Sequence, residues 1–408
     1  MNTKLNIDWL DKSEVKSLMA IIDNGENQSR FVGGCVRDSL LGRPVSDIDI
    51  ATQHAPEKVM QLLSTANITI RPTGIKHGTV SAFFDDQIFE ITSLRRDMKT
   101  DGRYAEICLT DSWAEDAARR DFTMNALFMD KRGNIFDPIG GYKDLERGRI
   151  RFVGNASRRI KEDFLRILRF FRFNAYFGRQ QIDCDGLMAC KQFAGELWRL
   201  SGERVRSEIF KIILSDNAFS VLKTMSDSGV LGKIFVGEGR LLEFNRLTEL
   251  EGVKRDPIRR LATLLTAPAG KVIDRLKLSN QMADKLVYLS ETEIEILEEP
   301  QKVKALFYGM RKMDVLGLLI VKTALNPKYN KMLEVANEIG QTWEVPKFPL
   351  KGSDILELGY KPGIEVGDIL KEAEKWWILG EFQHDKEDCL DWIQGCNLEK
   401  KAGSYEKN

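Results

Sequence analysis

The order of apolar and polar positions divides the chain into a strand-rich first part and a longer helical part. Residues 1–30 carry an amphipathic helical pattern with Trp9, Val15 and Leu18 in its apolar stripe. Strand-length apolar runs follow at 31–32, 48–50, 79–84, 87–92, 126–129 and 135–136. Beyond residue 150 the pattern is helical almost throughout. The chain is therefore expected to be an α+β protein, a head with a small mixed sheet followed by an all-helical neck, body and tail.

The length of 408 residues exceeds what one hydrophobic core normally supports, so two or more domains are expected. The change from a strand-rich to a helical pattern places the head at 1–150. The division of the helical part into a neck at 151–215, a body at 216–335 and a tail at 336–408 is what the family resemblance given below implies. No internal repeat or low-complexity segment interrupts this division.

Overall charge predicts no polyanionic partner, because 61 Lys and Arg residues balance 61 Asp and Glu residues. The local distribution of charge, however, is uneven. The segment 147–179 is rich in Lys and Arg and contains only two acids, Glu162 and Asp163. Such a segment is either a solvated helix face or a phosphate-binding surface.

Cysteine and histidine usage argues against disulfide bonds and against a histidine-based metal site. The six cysteines show no paired CxxC spacing and are consistent with reduced thiols in a cytoplasmic protein. Three histidines leave little room for a histidine-based metal site. The N-terminus lacks the apolar region of a signal peptide, and no apolar run is long enough to cross a bilayer, so no membrane partner is expected.

Two short motifs close together indicate phosphate and metal chemistry. Gly33 and Gly34 stand between a strand-like run and a helix-like one, where glycines let backbone N–H groups approach a phosphate. Asp47 and Asp49 alternate with apolar residues, so on a strand their carboxylates would share one face. Paired carboxylates can hold divalent metals for attack on phosphorus. Either motif alone is more often an ordinary turn or loop; their order favours nucleotide chemistry.

Together these residues resemble motif A of the polymerase-β-like nucleotidyltransferases, in particular the class II CCA-adding enzymes and bacterial poly(A) polymerases. The resemblance implies that Asp47 and Asp49 are catalytic and hold Mg²⁺, and that Gly34 and Arg37 contact the nucleotide. It also implies a catalytic head, a nucleobase-selecting neck, and a body and tail that bind tRNA.

The segment 118–126 resembles motif B of this family, RRDFTxNA. Arginine suits a triphosphate because its planar fork donates two bonds to neighbouring oxygens. By resemblance Arg119 or Arg120 contacts the nucleotide, with Arg120 favoured, while Asp121 and Asn125 hold the local backbone. A purely structural Arg-Arg-Asp is the alternative.

The segment 162–173 resembles motif D, EDxxR, the family's nucleobase reader. Asp163 would accept a hydrogen bond from the amino group of cytosine or adenine, while Arg166 would donate to the ring nitrogen. Uracil and guanine present the opposite pattern, and such a mismatch costs a few kcal/mol. Arg169 and Arg172 would support this pair or bind phosphates. The alternative is one salt-bridged helix face, with Glu162 and Arg166 as an ordinary pair.

Two further segments carry weaker predictions. Glu90 lies on a strand-like run and is a candidate third catalytic carboxylate; alternatively it is an edge-strand residue paired with Arg95 or Arg96. The polar segment 94–104 has the composition of a surface loop. Class II enzymes have a flexible loop here, and the full length of this segment weighs against a relative that adds only cytidines.

The resemblance implies a nucleotidyltransferase that adds C, C and A to the tRNA 3′ end without a template. Mg²⁺ on Asp47 and Asp49, in a two-metal arrangement, would align the terminal hydroxyl on the α-phosphate, with pyrophosphate leaving. The implied partners are tRNA, CTP and ATP, with no obligate protein partner. Alternatives are a poly(A) polymerase, a CC-only or A-only enzyme, an RNA-binding protein that has lost activity, or a small-molecule nucleotidyltransferase.

Overall fold

The computed structural model describes residues 7–23, 28–74, 78–84, 87–101, 104–179, 182–235, 237, 239–310 and 312–405. The chain forms two compact units, one of residues 1–245 with 255–285 and one of 246–254 with 286–408. The finer division at residues 150, 215 and 335 remains a prediction.

The strands of the first unit form a mixed sheet and a separate hairpin. Their bounds are β1 (Ser29–Val32), β2 (Ile48–Thr52), β3 (Thr69–Gly74), β4 (Thr79–Phe84), β5 (Gln87–Ser93), β6 (Arg95–Asp101), β7 (Tyr104–Leu109), β8 (Phe128–Met129) and β9 (Ile135–Phe136). The sheet order is β3-β4-β5-β2-β1-β8-β9. Strands β2 and β5 are parallel and the other neighbours antiparallel. The predicted small mixed sheet is confirmed.

The segment 94–104 differs from its predicted loop character. Strands β6 and β7 pair antiparallel, with Arg95 opposite Leu109 and Asp101 opposite Tyr104. Alternating charged and small polar side chains concealed this hairpin, because they provide no apolar face for a strand pattern.

Helices make up most of the remaining chain. Their bounds are α1 (Ser13–Ile22), α2 (Gly34–Leu40), α3 (Pro56–Thr65), α4 (Trp113–Arg119), α5 (Gly141–Arg147), α6 (Ala156–Glu162), α7 (Leu165–Phe177), α8 (Cys184–Phe193), α9 (Gly202–Leu214), α10 (Ala218–Asp227), α11 (Leu241–Leu250), α12 (Pro257–Leu264), α13 (Ala269–Leu276), α14 (Asn280–Glu291), α15 (Pro300–Gly309), α16 (Lys312–Leu325), α17 (Asn330–Thr342), α18 (Gly352–Glu357), α19 (Ile364–Leu379) and α20 (Lys386–Tyr405). Short 3₁₀ helices span Asp8–Asp11, Thr123–Asn125, Ala194–Arg199, Leu231–Lys233 and Pro327–Tyr329.

The single helix predicted over residues 1–30 is wrong in extent. A 3₁₀ turn over Asp8–Asp11 precedes α1, and extended backbone at Lys12 separates the two. Helix α1 ends at Ile22, and its buried stripe includes Val15 and Leu18.

An aromatic cluster joins the strand-rich part of the first unit to helix α7. Phe122 packs against Phe152 with ring centroids 4.7 Å apart and against Phe173 at 5.1 Å. Phe170 stacks on Phe152 at 5.5 Å. All four side chains are buried. Because aromatic side chains bury large apolar areas, this cluster fixes α7 relative to the segment that follows Arg120 and Asp121.

The second unit has its own helical core. One cluster is built from α15, α16 and α17 around Val303, Phe307 and Met332. Another surrounds Trp377, with Leu350 and Ile355 among its buried members. Across the part of the chain that the structure describes, no helix combines the length and apolar character needed to span a membrane.

Helix α5 approaches the 3₁₀ turn Thr123–Asn125 so closely that only glycine fits at its start. A Cβ on Gly141 would lie 2.0 Å from the Thr123 carbonyl oxygen, a backbone atom that cannot rotate away. We expect Gly141→Ala to lower the free energy of unfolding by about 1–3 kcal/mol or more, through overpacking. The measurement is the shift of the urea unfolding midpoint.

Gly270→Ala is the matched control, because a Cβ there meets no atom within 4 Å and the residue lies in α13. Alanine in an open helical position should be neutral or stabilising by roughly 0.5–1 kcal/mol. Equal midpoints for the two variants would contradict the close approach of α5.

Candidate functional site

One cavity of about 670 Å³ in the first unit collects ten of the eleven predicted site residues. These are Gly34, Arg37, Asp47, Asp49, Arg119, Arg120, Asp163, Arg166, Arg169 and Arg172. Gly33, Asp121, Asn125, Leu165, Phe173 and Arg204 also line it. The structure thus brings residues from sequence positions 33 to 204 into a single strongly basic site.

The glycine turn lies between β1 and α2. Gly33 has a φ of +74°, which L side chains rarely adopt, so this position requires glycine. Its N–H donates to the carbonyl of Leu127 at 3.2 Å, which ties the turn to the segment before β8. A Cβ on Gly33 would also stand 3.6 Å from Nη1 of Arg120. The turn therefore brings backbone atoms close to the cavity's arginines.

The two aspartates of motif A lie at the start of β2. Strand β2 begins at Ile48, so Asp47 precedes it by one residue and only Asp49 is within it, yet both line the cavity. Asp47 is exposed, and Asp49 is half-buried. Burial raises the pKa of Asp49 to about 6; Glu90 and Asp47 push it the same way, against the lowering effect of Arg120. The carboxylates thus form a concentration of negative charge that a cation would relieve.

Glu90 lies beside Asp49 rather than at a sheet edge. Strand β5 runs between β4 and β2, and Glu90 is the direct partner of Asp49 in the parallel β2–β5 register. The edge-strand alternative is therefore wrong. The Glu90 side chain is exposed, so it is open to solvent next to Asp49.

Asp116 organises the two arginines of motif B. It is 1% exposed and accepts from Arg119 Nε at 2.7 Å and from Arg120 Nη2 at 2.9 Å. Burial alone would raise the pKa of Asp116, but Arg120 and Arg119 hold it below its ordinary value. Asp116 was not among the residues predicted from the sequence. Its spacing of three residues from Arg119 and four from Arg120, at the end of a helix, was the available signal.

A hydrogen-bonded chain connects the glycine turn to helix α7. Arg37 Nη1 donates to Asn125 Oδ1 at 2.8 Å, and Asn125 Nδ2 donates to Asp121 Oδ1 at 3.1 Å. Asp121 Oδ2 accepts from Arg169 Nε at 2.7 Å. Asp121 also accepts from the N–H of Phe122, so it holds the local backbone as expected, and in addition it anchors Arg169. This chain fixes the orientation of arginines from two separate motifs.

Asp163 and Arg166 do not lie on one continuous helix. Helix α6 ends at Glu162, Asp163 has extended backbone, and α7 begins at Leu165. The alternative of one salt-bridged helix face over segment 162–173 is therefore wrong at Asp163. This break frees its carboxylate to accept from the Leu165 N–H at 3.1 Å and from Arg204 Nη2 at 2.7 Å.

Arg166 is held by groups other than Asp163. Its Nη1 donates to Glu162 Oε2 at 2.5 Å and to the Arg159 carbonyl at 2.8 Å. The ordinary Glu162–Arg166 pair is thus present, and Arg166 lines the cavity as well. On the same helix, Arg172 forms an ion pair with the buried Glu208 at 2.8 Å.

Arg204 is a cavity residue that sequence reasoning did not assign. It lies on α9, 41 residues from the carboxylate that it contacts. Only the tertiary packing of α9 against α7 reveals its position at the cavity.

The donor set at β2 suits a hard divalent cation. Mg²⁺ is typically bound by one or two carboxylates, with substrate phosphates and water as the remaining ligands. Asp47 and Asp49 supply two carboxylates on one wall of the cavity. In the described part of the chain, no group of three or more His, Cys, Asp or Glu side chains is arranged to hold a metal. The residues present therefore fit a cation shared with a phosphate ligand.

Comparison with family models gives two matches in the first unit. Residues 29–151 match the model of the poly A polymerase head domain. Residues 181–237 match the model described as a probable RNA and SrmB-binding site of polymerase A.

Similarity to individual proteins extends over nearly the whole chain. The mouse mitochondrial CCA tRNA nucleotidyltransferase 1 is 33% identical over 93% of this chain and 89% of its own length. A CCA-adding enzyme of Ligilactobacillus salivarius is 30% identical over 88% of this chain and 90% of its own. The crystal structure of the Bacillus stearothermophilus CCA-adding enzyme in complex with CTP superposes with a TM-score of 0.74 at 27% identity, covering 96% and 100% of the two chains.

The buried ion pairs of Asp116 give a testable stability prediction. Asp116→Asn removes the charge that both arginines face, so we expect the free energy of unfolding at pH 7 to fall by about 3–5 kcal/mol. Because the folded-state pKa of Asp116 is lowered, the wild-type advantage should be complete above pH 3.8 and decline as pH falls further. Denaturant unfolding at several pH values measures it.

Asp227→Asn is the control for this prediction. Asp227 is 64% exposed and pairs with Lys223 on the surface of α10, where an ion pair contributes at most about 1 kcal/mol. If Asp116→Asn lowered the free energy of unfolding no more than Asp227→Asn does, Asp116 would not anchor the arginines.

Proposed function

The chain belongs to the class II family of CCA-adding tRNA nucleotidyltransferases, and from this membership we propose that it adds C, C and A to the 3′ end of tRNA. CTP and ATP are the substrates, and no nucleic-acid template is used. The observation that carries the proposal is the basic cavity, where two carboxylates, a glycine turn and arginines of three motifs surround space for one nucleotide. The RNA 3′-hydroxyl attacks the α-phosphate, and pyrophosphate leaves.

The triphosphate is bound by Gly34, Arg37 and Arg120, with Arg119 as a neighbour. Arg120 donates hydrogen bonds from Nε and Nη2 to Asp116, and its Nη1 points toward the glycine turn. Arg37 is oriented by Asp38 and Asn125. Donors that are fixed before the ligand arrives stabilise charge without reorganisation during the reaction.

Asp47 and Asp49 are the proposed ligands of Mg²⁺. Bound there, the ion would lower the pKa of the attacking hydroxyl and neutralise charge on the phosphates. Glu90, the lateral neighbour of Asp49, is the proposed third carboxylate, and its exposed oxygen atoms are available to accept the proton of the 3′-hydroxyl.

Asp163 and Arg166 are the proposed nucleobase readers. The Asp163 carboxylate would accept from the exocyclic amino group of cytosine or adenine, and Arg166 would donate to the ring nitrogen. Arg204 and Glu162 hold this pair in place. Arg169 and Arg172, fixed by Asp121 and Glu208, support the pair or contact phosphates.

The helical body and tail are proposed to bind the tRNA through phosphates and shape rather than base sequence. A cytoplasmic location is proposed from the thiols, because Cys35, Cys108, Cys184, Cys190 and Cys389 are free.

A gel assay on tRNA transcripts that end at the discriminator base tests the function. With Mg²⁺, CTP and ATP we expect growth by three nucleotides, and with CTP alone a stop after two. Asp49→Asn should reduce the rate by roughly 10²–10³-fold or more, because it removes a metal-binding charge at the reacting centre. Long adenosine ladders with ATP alone would instead indicate a poly(A) polymerase.

Asp163→Ala tests the nucleobase reader. Loss of a hydrogen bond to a charged group should lower kcat/KM for CTP and ATP by roughly 10- to 150-fold and leave the low kcat/KM for UTP nearly unchanged. Single-nucleotide addition with each of the four triphosphates measures this ratio. A proportional loss for all four would assign Asp163 a structural role; Asp227→Asn serves as the control aspartate.

A further inference from the structure

A short surface of alternating cations and aromatic rings begins beside the cavity. We call it the neck strip and define it as Lys161, Phe164, Phe193 and Arg199. Phe164 lies between Asp163 and Leu165 in sequence, and both of these line the cavity. The four residues come from α6, the α6–α7 junction, the end of α8 and the 3₁₀ helix Ala194–Arg199.

The four side chains of the neck strip contact one another in series. Nζ of Lys161 stands 5.4 Å from the centre of the Phe193 ring. The Phe193 and Phe164 ring centres are 6.4 Å apart. On the far side, the Arg199 guanidinium carbon lies 5.4 Å over the Phe164 ring. Cations thus flank a pair of rings at both ends.

These side chains are accessible. Arg199 is 51% exposed and its ion pair with Glu196 is long, at 3.5 Å, while Lys161 is exposed and the two rings are half-buried. Trp198, on the same 3₁₀ helix, exposes 74% of its surface, although aromatic side chains of this size are usually mostly buried.

We propose that the neck strip binds the unpaired 3′ strand of the RNA substrate, with bases stacking on Phe164 and Phe193 and phosphates contacting Lys161 and Arg199. The proposal rests on the proposed function and specifies where its RNA lies. Aromatic rings accept any base by stacking, and neighbouring cations follow the backbone; this combination is the usual basis of sequence-tolerant single-strand binding.

The size of the cavity supports this occupant. A volume of about 670 Å³ suits one nucleotide, so the nucleotides that precede the reacting hydroxyl must lie on adjoining surface. The neck strip adjoins the base-reading residue Asp163 and carries charge complementary to RNA. A protein partner would require no alternation of cations and rings, so unpaired RNA is the favoured occupant.

The test compares two RNA hairpins with the same acceptor-type stem, one with an unpaired 3′ end of three nucleotides and one with a blunt end. Fluorescence anisotropy measures their affinity for the full chain at several salt concentrations. Lys161→Ala with Arg199→Ala should weaken overhang binding by roughly tenfold or more and reduce the salt slope by about 1.4, for two lost phosphate contacts. Phe193→Leu, which keeps an apolar side chain, should weaken overhang binding with little change of slope.

Lys58→Ala is the matched control, since Lys58 is an exposed lysine on α3 with a local bond to Gln61. Blunt hairpin binding and CTP binding should be unchanged in all variants. Unchanged overhang affinity in the double variant would overturn the proposal and favour a protein partner for the strip. An equal loss of affinity for the overhang and blunt hairpins in the double variant would also overturn the proposal.

Nucleotide addition by the wild-type chain is measured in parallel. If the wild type extends tRNA and the strip variants bind overhang RNA as it does, the strip proposal alone fails. If the wild type extends no RNA, the proposed function fails independently of the strip.

Discussion

The pairing of the cavity arginines with buried or half-buried carboxylates is the interaction on which the site depends. Guanidinium groups this close together repel one another until a polyanion arrives. Asp116 fixes Arg119 and Arg120, while Asp121 fixes Arg169. The remaining pairs are Arg37 with Asp38, Arg166 with Glu162, Arg172 with Glu208 and Arg204 with Asp163. Because a carboxylate occupies only part of the arginine fork, the acids orient the donors without consuming them.

These carboxylates lie on several different helices and loops, and apolar contacts between the elements hold them in position. Phe122 follows Asp121 directly and packs against Phe152 and Phe173, so the ion pair to Arg169 forms where α7 is already held. The proposed nucleobase readers Asp163 and Arg166 are likewise held by different partners, Arg204 and Glu162, rather than by each other. A protein that selects bases without a template needs such fixed groups, since a mobile pair could adapt to the wrong base.

The fold class and the glycine and aspartate members of the cavity follow from local signals, whereas the cavity residues of motifs B and D were predicted from their resemblance to the family. Glycine at a strand-to-helix junction and alternating aspartates need only short-range patterns. Arg204 and Glu208 were beyond such reasoning, since their partners lie far away in sequence and meet them only through the packing of α9 on α7. The break at Asp163 was missed for another reason. Its neighbours continue a helical pattern, and a side-chain bond to the Leu165 N–H stabilises the interruption.

The neutral overall charge follows from the same pairing. Balanced totals of 61 basic and 61 acidic residues gave no sign of a polyanionic ligand. Several of those acids lie against the cavity arginines, so they contribute to the totals without opposing a phosphate at the cavity surface. The electrostatic attraction of the whole chain for a distant phosphate is consequently weak. Within the cavity, by contrast, many fixed arginine donors lie close together. Such a site gains selectivity from preorganised geometry more than from net charge. A chain that binds nucleotides and RNA can therefore have the composition of an ordinary neutral globular protein.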